Sequence, residues 1–352
     1  MTIEFIFAIF AFLGMVDKIT GNHLKLGDEF EKGIMTIGPL IISMAGMFVL
    51  APVLAEGLTY VCAPVLHLVN IDLSFIGALF PIDAGGAVMA YEVSTNTLVR
   101  GYNGIIVASM FGATICPVIP MALTMVEKEY HTDVLIGLLC GIATIPIGCI
   151  VAGFMIGCSF VQIVMNTLPV IILAVLICMG LLKNPGLVKK IFATVGNALF
   201  LLVTIGLGIG IFHKLTGIAL IRGIESIDEA FLIIGNIVMI LSGVFVLLAL
   251  ISKVFQKPFA RLGNILKIND TAVLGLVTSL ANSIPVFSMI KRMDKKGRIM
   301  NMAFSVSGAY VLGDHLAFVL SFDREFAFAM VIGKLISGVT ALAMAHFIYK
   351  RI

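Results

Sequence analysis

Two aspartates lie in apolar stretches of the chain, where an ionised carboxylate needs a partner. Asp83 lies in the stretch PIDAGG (residues 81–86), and Asp314 precedes His315 in LGDHLAF (residues 312–318). An unpaired carboxylate away from water is costly, so it is retained most easily where a cation balances its charge. These residue types therefore predict a cation-binding site, and the cation is a lysine, a proton, a coupling ion or a substrate.

Three further polar residues are candidates for the same site. His315 is one of them, although about 100° of rotation separates it from Asp314 on a continuous helix. Asn282 and Ser283 carry hydrogen-bonding side chains in the stretch ANSIP (residues 281–285). Because of that rotation, Asp314 and His315 need not face the same cavity.

Two other polar residues have a structural alternative. Asn301 is a candidate for the site, but an asparagine in an apolar helix also joins neighbouring helices by hydrogen bonds. Lys334 is predicted to be the counter-ion of an acid such as Asp314 or Asp83 rather than a substrate contact. Both alternatives remain open at the level of the sequence.

The amino-acid composition indicates whether the protein that contains these residues is surrounded by water or by lipid. The 352-residue chain is 60% hydrophobic and 12% charged, with a mean hydropathy of +1.13, whereas a soluble protein carries about twice that charged fraction. The sequence therefore predicts an all-α polytopic membrane protein surrounded by a lipid bilayer, and its net charge of +3 argues against a nucleic-acid partner. Apolar runs that approach or exceed bilayer-spanning length are residues 34–54, 105–126, 134–158, 191–212 and 231–251.

The sequence motifs of membrane enzymes are missing or incomplete. An intramembrane aspartyl protease requires Gly-x-Gly-Asp, but Val311 occupies the first glycine position before Asp314. A rhomboid-like protease requires Gly-x-Ser-Gly, but Ser305 stands at the first position of that motif. The chain has no Walker loop, no HExxH motif and no two-cysteine haem site. An enzyme is therefore disfavoured, and no cofactor is predicted.

The chain repeats itself at an offset of 196 residues. The stretch VDKITG (16–21) matches FHKLTG (212–217), and residues 100–114 align with residues 296–310 at the same offset. Each half then contains five elements, and a helix over residues 160–182 links the halves. The prediction is a single transport domain that consists of repeat one (1–158), a linker helix (159–190) and repeat two (191–352).

Basic residues indicate whether the third element of each half spans the membrane. Lysine and arginine are retained on the cytoplasmic side, but eleven spans would divide them 13 against 9. If residues 73–93 and 271–290 instead enter and leave on one side, the division becomes 18 against 4. Nine spans with two re-entrant hairpins are therefore favoured over kinked spanning helices. This arrangement inverts one repeat relative to the other, with the N-terminus outside and the C-terminus in the cytoplasm.

Both hairpins are interrupted at matching positions, residues 81–86 and 281–285. Proline and glycine end helices, and the exposed backbone of Gly85 and Gly86 is tolerable in a membrane only where it packs in protein or lines a cavity. Inverted repeats with broken elements are typical of secondary transporters. The two breaks are thus predicted to meet and to bind a substrate. A first helix over residues 2–16 is expected to be retained, because the start lacks the features of a signal peptide.

Four stretches together resemble the ethanolamine utilisation permease family, EutH. They are LANSIPVFSMIKRMDKKGRI (280–299), AFSVSGAYVLGDHLAF (303–318), IATIPIGCIVAG (142–153) and DAGG (83–86). The resemblance covers essentially the whole chain. It implies a permease or facilitator that takes up ethanolamine across the bacterial cytoplasmic (inner) membrane for catabolism. The alternatives are a transporter for another small cation, and a membrane-embedded enzyme or regulatory partner of ethanolamine metabolism.

A site for ethanolamine needs an anion for the ammonium group and a hydrogen-bonding partner for the hydroxyl group. The amine is protonated at neutral pH, as that of lysine is, so Asp83 or Asp314 is expected to hold it. Asn282, Ser283 or the exposed hairpin backbone is expected to contact the hydroxyl. A proton or sodium ion is the expected coupling ion, facilitated diffusion is the alternative, and a homodimer is a common assembly for such folds.

Overall fold

The computed structural model describes residues 3–351, and every regular element in that range is helical, as the composition predicts. The α-helices of the first half are α1 (Ile3–Ile19), α2 (Leu26–Ile34), α3 (Ile37–Leu40), α4 (Gly46–Leu68), α5 (Ala87–Val93), α6 (Thr97–Gly101), α7 (Ile119–Met125) and α8 (His131–Met155). Those of the linker and second half are α9 (Phe160–Lys183), α10 (Pro185–Thr216), α11 (Ile227–Val254), α12 (Gln256–Leu266), α13 (Asp270–Ser279), α14 (Ile284–Met289), α15 (Lys295–Ser307), α16 (Asp314–Phe322) and α17 (Ala327–Tyr349).

Shorter or wider helical turns connect these α-helices. Segments with 3₁₀ geometry are Leu73–Leu79, Lys128–Tyr130, Ile290–Arg292 and Arg324–Phe326, and segments with π geometry are Ile41–Ala45, Ile82–Gly86, Tyr102–Gly112 and Thr114–Val118. The π segments lie in the first half, and they include a residue of the candidate site, Asp83. Such π turns are often found at functional sites, and Asp83 is predicted to belong to one.

Seven helices of the described chain are long and apolar enough to cross a membrane: Leu26–Leu66, Thr97–Met125, Lys128–Met155, Phe160–Lys183, Pro185–Thr216, Ile227–Val254 and Arg324–Tyr349. The sequence predicts nine spans. Of the other two, α1 has only 17 residues, and the second is interrupted between α15 and α16. The protein is therefore a multi-pass membrane protein, in agreement with the sequence at this coarser level. The predicted first helix begins at Thr2, which lies outside the described residues.

The interruption before Asp314 corrects one prediction. The sequence predicts Asp314 inside a continuous helix, and this is wrong, because α15 ends at Ser307 and residues 308–313 form a turn. The backbone amide of Tyr310 donates to the Ser279 carbonyl at 2.9 Å, so the turn bonds to the end of α13. Asp314 is consequently the first residue of α16 rather than a residue in the middle of a span.

The first hairpin has its predicted break and returns to the end from which it starts. After the 3₁₀ segment the chain is extended at Phe80, and it turns at Gly85, where φ is 119°. The Ser94 hydroxyl donates to Asp72 Oδ2 at 3.1 Å, so the residues before and after the hairpin are joined. Ser74 donates to Asp72 Oδ1 at 2.5 Å and completes this junction.

The second hairpin, α13 and α14, is built in the same way. Residues 280–283 interrupt it where the sequence predicts. Asn269 precedes the hairpin, and its side-chain amide donates to the Arg292 carbonyl at 2.9 Å. The backbone amide of Asn269 donates to Asp294 Oδ1 at 2.8 Å. The two ends of this hairpin are therefore also held side by side.

The loops of the chain form two groups, and ion pairs and hydrogen bonds join the loops within each group. In the first, which we call the lysine-rich end, Arg298 pairs with Asp133 at 2.7 Å and Lys291 pairs with Glu127 at 3.4 Å. Lys189 belongs to the same group, because its ammonium donates to the Leu123 carbonyl at 2.8 Å. The ends of the second hairpin are part of this group, since Lys291 immediately precedes Arg292.

The second group, which we call the opposite end, contains the ends of the first hairpin. Tyr91 of α5 donates to Asp323 at 2.6 Å, and the Arg100 guanidinium lies 4.4 Å from the centre of the Tyr91 ring. Arg324 pairs with Glu4 at 3.7 Å, which adds the start of α1 to this end. The two hairpins thus make their end contacts with different groups of loops.

The two halves also pack on each other reciprocally. Helix α1 packs on α11, and α10, which the predicted repeat aligns with α1, packs on α4. Helix α8 packs on α15, while α17, which the predicted repeat aligns with α8, packs on α8 and on the segment Tyr102–Gly112. A Cβ atom at Gly148 of α8 would overlap the carbonyl oxygen of Gly333 in α17. Glycine is needed there because the backbones of the two helices touch.

Candidate functional site

A cavity of about 330 Å³ lies where the interrupted elements of the two halves meet. Asp83 contributes to its wall from the first hairpin and Asn282 from the second. Tyr310 contributes from the turn at 308–313, and Asp314 from the first turn of α16. Part of helix α10 completes the wall. The structure therefore brings together residues of both predicted breaks around one space.

The two carboxylates of the cavity come from different halves of the chain. Asp83 and Asp314 are close enough for their charges to repel each other. Within residues 3–351 neither carboxylate forms an ion pair. A Coulomb interaction is strong where little water screens it, so a small cation in this cavity would be attracted by both groups.

Lys334 lies near this pair but does not contact it. Its side chain is 1% exposed, and its ammonium donates to the Ser109 carbonyl at 2.6 Å. The charge of Lys334 interacts through space with that of Asp83. Within the described range Lys334 forms no ion pair with a carboxylate, so the predicted counter-ion role stays a prediction.

Asn282 and Ser283 are held by hydrogen bonds within the protein. The Asn282 amide nitrogen lies 3.4 Å from Asp314 Oδ2, and its oxygen accepts from the backbone amide of Ile284 at 2.8 Å. The Ser283 hydroxyl is buried and donates to the Tyr310 hydroxyl at 2.7 Å. These bonds attach the tip of the second hairpin to the residues around Asp314.

His315 faces the same cavity as Asp314, which the helix rotation alone does not require. Its ring stacks on that of Tyr310, with centroids 5.0 Å apart and planes inclined by 22°. Its Nδ1 atom is buried and has no hydrogen-bond partner among the described residues. An imidazole nitrogen buried without a partner is costly.

Ser283 and Lys334 do not line this cavity, and neither do the remaining predicted site residues. Gly85 lies against the Met47 side chain, and a Cβ atom at Gly86 would lie 2.8 Å from the Phe80 carbonyl oxygen. Both glycines therefore allow the hairpin to turn within tight surroundings. Asn301 donates to the Ala272 and Gly297 carbonyls, each at 2.9 Å, and so joins α15 to α13. A direct role of these three residues in binding stays a prediction.

Sequence reasoning did not find Tyr310, although its ring and hydroxyl organise one wall of the cavity. The stretch SGAYVLG reads as part of an apolar helix. The available signal was the pair of glycines, Gly308 and Gly313, on either side of a single polar aromatic residue. Glycines at both ends of a short segment favour a turn.

A second cavity, of about 520 Å³, adjoins the first. Its wall includes Glu29 and Lys32 of α2 and Ser252 of α11, and it shares Asn282 and Ile284 with the first cavity. The second cavity lies near the end of α11, where the Lys253 ammonium donates to the Leu24 carbonyl in the loop before α2. Helix α12 connects this end of α11 to Asn269, which belongs to the lysine-rich end. The tip of the second hairpin thus separates two adjacent cavities.

Apolar helices that can cross a membrane, arranged around a cavity that two carboxylates line, define a multi-pass membrane protein. The family model described as "Ethanolamine utilisation protein, EutH" matches residues 1–348, and the chain belongs to this family. Relatives in it are named permeases, so this is a transporter family rather than an enzyme family.

Three relatives illustrate the similarity. A protein of Listeria monocytogenes serotype 1/2a (strain 10403S), named "Probable ethanolamine permease EutH", is 42% identical over 350 residues, which cover 99% of this chain and 94% of the relative. A Salmonella typhimurium protein with the same name is 38% identical over 366 residues, with coverage of 97% and 89%. The Bacillus subtilis "Uncharacterized protein YxeR" is 39% identical over 344 residues, with coverage of 97% and 93%. No solved structure matches the chain.

Proposed function

We propose that this protein takes up ethanolamine across the bacterial cytoplasmic membrane. The observation that carries the proposal is that Asp83 and Asp314, from different halves, line one cavity and have no ion-pair partner among the described residues. The names of two relatives described above, probable ethanolamine permease, support ethanolamine as the substrate.

The chemistry of ethanolamine fits this cavity. Its amine is protonated at neutral pH, and a charged group crosses a lipid bilayer poorly because it must leave water. The carboxylates of Asp83 and Asp314 replace the water that the ammonium loses, and each contact is a charge-assisted hydrogen bond. The cavity exceeds the volume of such a small molecule, so the substrate binds with some of its water.

The architecture that we propose for this transport is a pair of inverted repeats. Two observations support it. The ends of the first hairpin contact one group of loops and the ends of the second hairpin contact the other. Helices α1 and α10 make reciprocal contacts with the opposite halves. Since basic residues remain on the cytoplasmic side, we assign the lysine-rich end and the C-terminus to the cytoplasm and the N-terminus to the outside.

The path through the protein follows from the two adjacent cavities. The larger one leads from the central cavity toward the lysine-rich end, and Asn282 and Ile284 belong to both. We assign the release of substrate to the cytoplasm to this path, with the tip of the second hairpin as the barrier that moves. Transporters with broken hairpins expose a fixed site alternately to the two sides in this manner.

One experiment tests the proposal. Purified protein in proteoliposomes is supplied with labelled ethanolamine, with and without imposed proton and sodium gradients. Saturable uptake supports the function, and its response to either gradient identifies the coupling ion. Uptake without any gradient indicates facilitated diffusion, and the molecular mass of the purified protein in detergent tests whether it forms the homodimer that is common for such folds. No uptake of ethanolamine under any condition, together with uptake of another small amine, favours the alternative of a different cation. No transport at all favours a regulatory or enzymatic partner of ethanolamine metabolism.

A further inference from the structure

One polar group of the cavity is left without a partner by the protein itself. The His315 side chain is 4% exposed, and its Nδ1 atom bonds to nothing among the described residues. Its ring is fixed by stacking on Tyr310, whose hydroxyl is in turn bonded to Ser283. The imidazole is therefore held in one orientation, while its own hydrogen-bonding capacity remains unused.

A neutral imidazole has one donor and one acceptor nitrogen. A hydroxyl group can satisfy either of them, because it both donates and accepts. An ammonium group only donates, and a carboxylate takes it in preference because the hydrogen bond is charge-assisted. The unused imidazole thus fits the hydroxyl of an amino alcohol better than its ammonium group.

Two other candidates for the hydroxyl, Asn282 and Ser283, already form hydrogen bonds within the protein. The Asn282 oxygen accepts from the backbone amide of Ile284, and its nitrogen is directed toward Asp314. The Ser283 hydroxyl donates to Tyr310. A ligand that used these groups would compete with hydrogen bonds of the protein, whereas a ligand that used His315 would complete one.

We propose that His315 binds the hydroxyl group of the substrate and is the residue that distinguishes an amino alcohol from a simple amine. This inference rests on the proposed function, because it assigns the ammonium group to the carboxylates of Asp83 and Asp314. Adjacent residues in the first turn of α16 then supply one partner for each end of a short substrate. Asp314 contacts the ammonium and His315 contacts the hydroxyl.

The test compares ethanolamine with ethylamine, which lacks only the hydroxyl group. Uptake of labelled ethanolamine into proteoliposomes gives its half-saturating concentration, and inhibition of that uptake gives the affinity of ethylamine. A site that bonds a substrate hydroxyl discriminates strongly against the analogue without it, so the wild-type protein should prefer ethanolamine by roughly tenfold or more. His315→Phe retains a stacking ring without nitrogen atoms. In this variant the preference should fall to about one, with the affinity for ethylamine nearly unchanged.

Two further variants complete the experiment. His315→Gln restores a donor and an acceptor and should recover part of the preference, and His346→Phe makes the matched replacement in α17 and should keep all of it. If His315→Phe does not fold, His315→Met removes the same nitrogen atoms with a more adaptable side chain. A folded His315→Phe or His315→Met protein that keeps the wild-type preference overturns the inference and leaves the proposed function intact. A wild-type protein that does not bind ethanolamine overturns both.

Discussion

The hydroxyl of Ser283 donates a hydrogen bond to the hydroxyl of Tyr310 at 2.7 Å, and both residues are buried. Ser283 belongs to the tip of the second hairpin, whereas Tyr310 belongs to the turn at 308–313. The bond therefore joins two interruptions of the second half. Because the turn ends at Asp314, the position of that carboxylate depends on the position of the hairpin tip.

The glycine at the end of this turn provides a test of that dependence. A Cβ atom at Gly313 would overlap the Ala281 carbonyl oxygen, so Gly313→Ala must displace the turn from the hairpin. Forcing an extra carbon into tight surroundings costs about 1–3 kcal/mol. We expect a lower melting temperature in detergent and weaker ethanolamine binding, both measured on the purified protein.

The matched control is Gly235→Ala in α11. A Cβ atom at Gly235 would have no neighbour within 4 Å, and alanine is favoured over glycine inside a helix by up to about 1 kcal/mol. This variant should be as stable as the wild-type protein or slightly more stable. If Gly313→Ala behaved like Gly235→Ala in both measurements, the turn would not be fixed against the hairpin.

The breaks of the two hairpins could be predicted because proline and glycine residues within each break end helices. PIDAGG and ANSIP both contain residues that end helices, and the structure is interrupted at both. The turn at 308–313 carries a weaker signal, because it has a glycine at each end but no proline, and its other residues are apolar apart from Tyr310. Tyr310 adopts a φ of 61°, which is uncommon for such a bulky residue. The contacts with α13 that accompany this conformation come from residues about 30 positions earlier, beyond the reach of local periodicity.

The candidate site was predictable for similar reasons. A carboxylate in an apolar run stands out because burying its charge away from water is costly. The two carboxylates found in this way, Asp83 and Asp314, line one cavity. The role of an asparagine depends on its neighbours instead. Asn282 and Asn301 look alike in the sequence, yet the first lines the cavity and the second joins two helices. Those neighbours are set by the tertiary fold, so the sequence left both alternatives open.

The proposed orientation can be tested by labelling single cysteines in a protein whose six native cysteines have been replaced. The cysteines replace Arg261 in α12, Lys295 next to Asp294 at the end of the second hairpin, and Arg222 in the exposed loop after α10. We expect an impermeant thiol reagent to label the first two only from the cytoplasmic side and the third only from outside. Labelling of positions 261 and 295 from opposite sides would exclude a re-entrant second hairpin.

Lys334 offers a test of which acid it balances. Its charge interacts with that of Asp83, so Lys334→Met leaves Asp83 without a nearby positive charge and frees the Ser109 carbonyl. We expect a loss of stability of roughly 1–3 kcal/mol, seen as a lower melting temperature in detergent.

Double variants identify the partner. Adding Asp83→Asn to Lys334→Met removes the unbalanced charge and should restore part of the lost stability, as expected for coupled residues. Adding Asp314→Asn to Lys334→Met should restore less. Equal recovery in the two double variants would argue against specific coupling to Asp83, and greater recovery with Asp314→Asn would assign Lys334 to the other acid.

The most direct test of the site is Asp314→Asn. Asparagine keeps the size and much of the hydrogen bonding of aspartate but removes the charge, so insertion into the membrane should not become more costly. If Asp314 holds the ammonium group, the variant should lose a charge-assisted contact worth on the order of 2 kcal/mol. This corresponds to a rise of roughly thirtyfold in the half-saturating concentration of ethanolamine, which is measured by uptake at several concentrations.

Asp270→Asn is the control for Asp314→Asn, because Asp270 is exposed in the first turn of α13 and does not line the cavity. It makes the same chemical change outside the site and should leave the half-saturating concentration within about twofold of wild type, since exposed charges contribute little. The melting temperature in detergent shows whether both variants are folded. Wild-type affinity in folded Asp314→Asn protein would mean that the ammonium binds elsewhere. Asp83, the other carboxylate that lines the cavity, would then be the next residue to replace, because it could still supply a negative charge to the ammonium group.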